Sequence, residues 1–92
     1  MDIGTAIKTI RKEKGISQKK LAEMVGISVN SLCQIEINAS FPQKSTISKI
    51  CDSLNIPVSY LLFFSISEED IPDEKKAVFK SLNTAIKTIL ID

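Results

Sequence analysis

The side chains here that could do chemistry are amides and hydroxyls rather than acids, bases and nucleophiles. Asn30 and Gln34 lie one helical turn apart, with Ser28, Val29 and Ser31 beside them. Such groups make paired, directional hydrogen bonds to planar partners. Catalysis has little footing. The 92 residues include no His, which removes the commonest general base and a favoured nitrogen ligand for metals. Cys33 and Cys51 are too few and too far apart for a structural zinc site, and read as two free thiols rather than a disulfide. Gly4, Gly15 and Gly26 sit 11 residues apart and build no phosphate-cradling loop. No enzyme activity, cofactor, metal or small-molecule ligand is expected.

Those residues must be positioned by helices. Apolar residues recur at helical spacing almost throughout, and no strand alternation competes. Ile3, Ala6, Ile7 and Ile10 mark one face of a first helix that Gly15 ends. Leu21, Ala22 and Val25 mark a short second helix, with Ser17 as N-cap and Gly26 as the residue that stops it. Ser28 caps a third helix whose inner face carries Leu32 and Ile35. Residues 38–44 read as a connection. Ile47, Ile50, Cys51 and Leu54 form a fourth stripe, and Pro57 opens a fifth helix through Leu62. Residues 65–71 read as a linker. Pro72, Asp73 and Glu74 then start a sixth helix, along which Phe79, Leu82, Ile86 and Ile89 alternate by three and four.

Composition agrees with one small domain and a short appendage. Of the residues, 43% are hydrophobic and 25% charged, the balance of an ordinary folded chain rather than a disordered one. A chain of this size builds a thin core, and dimerisation would bury more. The net charge is +1. Residues 1–62 carry eight Lys or Arg against five acids, and the remainder four Lys against six, so a mildly basic body precedes a mildly acidic tail. The split gives weak support for a polyanionic partner. The longest apolar run, Tyr60-Leu61-Leu62-Phe63-Phe64, falls far below the roughly 20 residues of a membrane span. No basic-then-apolar leader follows Met1-Asp2, and a cytoplasmic location is expected. The string Thr-Ala-Ile-Lys-Thr-Ile occurs at residues 5–10 and again at 84–89. Its flanks do not match, so it is not read as a repeat.

The stretch SQKKLAEMVGISVNSLCQIE, residues 17–36, narrows the reading. Ala22 is small where a second helix would cross closely, and Gly26 follows four residues later where a left-handed turn is wanted. Leu32 and Ile35 fill the angle between the helices. This is the spacing of a DNA-binding helix-turn-helix. With these landmarks in register, and with Gln18, the Ile35-Glu36 pair, Pro42 and the segment ICDSLNIPVSYLL, the chain resembles the lambda-repressor-like family of Cro and repressor proteins over residues 3–62.

The resemblance implies an all-α fold. Five helices in residues 1–64 would form the DNA-binding domain; beyond the resemblance, the apolar alternation makes residues 65–92 a linker and a sixth helix expected to dimerise. The resemblance implies that Gln18, Ser28, Val29, Asn30, Ser31, Gln34, Asn38 and Lys44 meet DNA, and that Arg11 pairs with Glu36 as a structural ion pair. Phe79, Leu82, Ile86 and Ile89 are the expected dimer seam. The implied role is a sequence-specific regulator that binds double-stranded DNA as a homodimer. This chain departs from the family where a basic residue and Gly usually follow Glu36: here they are Ile37 and Asn38, and Ala39, Ser40 and Phe41 replace a basic loop. The third helix holds no Lys or Arg. These departures leave an alternative open, a protein-interaction or antitoxin-type module that keeps the fold with weak or no DNA binding.

Overall fold

The computed structural model describes residues 2–66 and 68–91. Six α-helices follow one another: α1 (Ile3–Glu13), α2 (Gln18–Val25), α3 (Val29–Glu36), α4 (Lys44–Leu54), α5 (Val58–Phe64) and α6 (Lys76–Ile91). Short 3-10 turns occupy Glu68–Asp70 and Asp73–Lys75, and no strand occurs among the described residues.

Each boundary has a local cause. The Ser17 hydroxyl accepts from the Lys20 amide and starts α2. Gly26 ends it at φ 84°, a left-handed conformation that costs glycine nothing. Ser28 starts α3 in the same way through the Ser31 amide. Asn55, also left-handed, stops α4, and Asn38 is left-handed after α3. Asn tolerates this region better than other non-glycine residues. Helix α5 runs two residues past Leu62, to Phe64. Helix α6 begins later than Pro72 suggests, because Asp73–Lys75 winds as 3-10 helix first, with Asp73 then pairing with Lys76 at 2.9 Å.

The buried cluster draws Ile3, Ala6, Ile7 and Ile10 from α1 against Leu21, Ala22, Val25, Leu32 and Ile35, with Ile47, Ile50, Cys51, Leu54 and Leu61 closing it. Helix α1 packs on α3 and α5, α2 on α3 and α4, and α4 on α5. The buried Ala22 lets α3 approach α2. Truncating a fully buried member such as Leu32 to Ala would cost about 2–5 kcal/mol. The N-terminus is tied to the end of α5 by the Asp2 amide, which donates to the Ser65 carbonyl at 2.8 Å. None of the residues in this cluster comes from α6. That helix meets the body where Phe79 comes beside Phe63, ring centroids 6.1 Å apart.

Candidate nucleic-acid interface

The angle between α2 and α3 is set by a buried polar junction as well as by the apolar wedge. Arg11 on α1 gives Nε to Glu36 Oε2 at 2.8 Å and Nη2 to Glu36 Oε1 at 3.0 Å. Its remaining nitrogen, Nη1, donates to the Ile16 carbonyl in the α1–α2 turn at 2.8 Å. Gln18, the first residue of α2, donates Nε2 to Glu36 Oε1 at 3.1 Å. One carboxylate at the end of α3 therefore holds α1, the turn and the start of α2. Arg11 and Glu36 are both buried, so the fork geometry satisfies charges that water cannot reach.

A second junction, just past the same end of α3, ties the following turn to α1. The Asn38 side chain accepts from the Gly4 amide at 3.0 Å and donates to the Thr5 hydroxyl at 3.2 Å. Asn38 thus caps the first turn of α1 from 34 residues away. The approach is close because Gly4 has no Cβ: one built there would collide with the Ile35 carbonyl. The carbonyls at the end of α3 are closed by turns, with Ala39 and Ser40 amides donating to Gln34 at 2.9 and 3.2 Å.

Held through its C-terminal end, α3 presents Val29, Asn30 and Ser31 to solvent, with Gln34 half-buried one turn beyond Asn30. The Ser28 hydroxyl donates to that of Ser31 at 2.8 Å while accepting the Ser31 amide, so these two side chains brace the tip. Lys19, Lys20 and Lys44 are exposed. Lys44 opens α4 behind Gln43, whose side chain makes no capping bond to the first-turn amides. Those donors suit an anion. Gln18 differs from a freely solvated amide, because Glu36 holds its nitrogen inward. Asn38 has both ends of its amide engaged with α1.

Two features of this surface were not singled out as contacts in the sequence. Ile37 and Phe41 are large apolar side chains in solvent on the connection after α3, Phe41 at 78% exposure. Their signal was the missing basic loop. The four residues of the expected dimer seam share one face of α6 but not one degree of burial: Phe79 is 9% exposed against Phe63 and Ile86 is half-buried, whereas Leu82 and Ile89 are exposed.

Other chemistry is not assembled. Burial, with a smaller push from the Asp52 carboxylate, raises the Cys51 thiol from 9.0 to about 11, far from a nucleophile's range. Among the described residues no group of three or more His, Cys, Asp and Glu converges as a metal site, and no helix is long and apolar enough to cross a membrane.

The helix-turn-helix family model matches residues 7–61. The HTH-type transcriptional regulator SutR of Escherichia coli is 42% identical over 57 residues, covering 62% of this chain and 32% of that protein. The immunity repressor protein of Bacillus phage phi105 is 35% identical over 81 residues, covering 88% of this chain and 54% of its own length. The chain thus spans about a third to a half of these two relatives. The crystal structure of the clp gene regulator ClgR from Corynebacterium glutamicum shares the fold, with a TM-score of 0.69 over 96% of this chain and 86% of that one, at 18% identity.

Proposed function

Because this chain belongs to the lambda-repressor-like helix-turn-helix family, a family of non-enzymatic DNA-binding regulators, we propose that it binds double-stranded DNA at specific sites as a homodimer and regulates transcription there. The observation that carries the reading is the exposed tip of α3. Val29 and Asn30 stand outermost on a helix braced by Ser28 and anchored by Glu36, with Gln34 one turn along.

In this reading the tip of α3 enters a major groove, the part of such a helix that reaches base edges. The amides of Asn30 and Gln34 bond adenine N6 and N7, and Val29 packs on a thymine methyl. Lys44 and the first-turn amides of α4 hold phosphate, as does Gln18, whose amide Glu36 has already oriented. Ser28 and Ser31 line the groove wall. Asn38 supports α3 through α1. With no Lys or Arg on α3, guanine O6 and N7 lack their usual partner, so contacted positions are rich in A·T. Pairing two copies places two recognition helices about 34 Å apart, one turn of DNA.

A second reading draws on the exposed Ile37 and Phe41, which suit a protein partner better than a phosphate backbone. In it the chain is an interaction or antitoxin-type module. Mobility shift of pooled genomic fragments at low and moderate salt separates the two. Retardation that weakens as salt rises supports DNA binding, and no retardation at any salt leaves the interaction module.

A further inference from the structure

Resting on the DNA reading above, we propose that α3 reads the C5 methyl groups of pyrimidines through a row of apolar side chains, Val29, Cys33 and Ile37, beside its amides. The three recur every four residues, so they form one slowly turning row along the helix. Ile37 keeps to the row although it lies just past the end of α3. Its amide still donates to the Cys33 carbonyl, at 3.1 Å, and closes the last turn. Val29 is 43% exposed and Ile37 59%, and Cys33 between them is half-buried. Asn30 and Gln34 run alongside, each one residue on from a member of the row. Leu32 and Ile35 turn the other way, into the core. The surface that α3 offers is therefore part amide and part hydrocarbon and thiol.

Such a row gains nothing from a phosphate. The single charged residue of α3, Glu36, is buried on Arg11, so no charge stands among these side chains. The major groove offers one apolar group to pack on, the C5 methyl of thymine. Valine, cysteine and isoleucine shed water against that methyl and ask nothing of the O4 or N4 beside it. The row therefore accepts 5-methylcytosine as it accepts thymine, and loses its contact on uracil or unmodified cytosine. Val29 and Ile37 lie roughly 12 Å apart along the helix, about three base-pair steps, so successive members meet different pyrimidines. Two chemistries then favour A·T pairs: the amides bond adenine, and the row packs on thymine. Only the second depends on the methyl group.

A duplex that wild type enriches from a random pool is the probe, remade with deoxyuridine in place of one thymine at a time. Where the row faces the base, loss of the methyl should weaken binding about four-fold, the effect of exposing one methyl-sized group. At the same positions 5-methylcytosine should bind about four-fold more tightly than cytosine. Val29→Ser, Cys33→Ser and Ile37→Ser should each erase the methyl effect at a different position, in that order along the site. Val29 and Ile37 are exposed and Cys33→Ser keeps its shape, so the variants should melt close to wild type. Asn30→Ala loses its bonds to adenine and should keep the methyl effect. Equal affinity for the thymine and uracil forms at every position, or a methyl effect that all three serine variants retain, would overturn the assignment. Failure of the DNA reading shows differently: no duplex is enriched or retarded whatever its pyrimidines, and Ile37 is left to a protein partner.

Discussion

The guanidinium of Arg11 closes on the carboxylate of Glu36 with two hydrogen bonds, 2.8 and 3.0 Å long, 25 residues apart in the chain. Both groups are buried. Arg11→Met should leave Glu36 charged and short of partners, a loss of roughly 3–5 kcal/mol. For a domain of this size that lowers Tm by more than about 10 °C, read by calorimetry. Because Glu36 also orients Gln18, DNA affinity of the variant, measured well below its Tm, should fall while its base preference stays. An unchanged Tm with lost binding would make Arg11 a phosphate contact instead.

Gly4→Ala should destabilise the protein, although alanine normally favours a helix over glycine by about 1 kcal/mol. The added methyl meets the Ile35 carbonyl and lies 2.7 Å from Asn38 Oδ1. Helix α1 must shift away from α3, at about 1–3 kcal/mol. Urea denaturation measures the change, and a stabilised variant would contradict the close approach.

Cys51 and Cys33 should differ in reactivity. Cys33 is half-buried, whereas Cys51 is buried with its thiol held near 11. A thiol reagent at pH 8 should label one cysteine promptly and the second only on unfolding. The raised value favours the neutral thiol in the folded state. Its contribution to stability is whole below pH 9 and is lost as the pH rises through about 11. Cys51→Ser, whose hydroxyl does not titrate there, should flatten that part of the stability profile.

Lys44→Ala should weaken binding to all duplexes alike. If Lys44 neutralises one phosphate, the slope of log K against log salt flattens by about one. An unchanged slope would return Lys44 to the solvated surface.

Most of the fold was legible because most of it is local. Ser17, Gly26 and Ser28 act on amides and turns within four residues of themselves, and the stripes of α1 to α4 follow helical period. What escaped depends on contacts between distant residues. No spacing rule ties Asn38 to Gly4, or turns the Gln18 amide toward Glu36. The Arg11 and Glu36 pair was reached through the family resemblance, since nothing in periodicity joins two residues on separate helices. On α6 the three-four alternation could not say which apolar residues the protomer itself uses. That depended on Phe63, which takes Phe79 and leaves Leu82 outside.

Selection of bound sequences from a random duplex pool, run in parallel with wild type and Asn30→Ala, tests the central claim most directly. Wild type should enrich an inverted repeat whose half-site centres lie about one DNA turn apart, with A·T pairs at the contacted positions. Asn30→Ala should relax one base pair in each half-site, a loss of about 1–3 kcal/mol of discrimination, and leave the others unchanged. No enrichment, or guanines at the contacted positions that Asn30→Ala leaves untouched, would contradict base reading by the tip of α3.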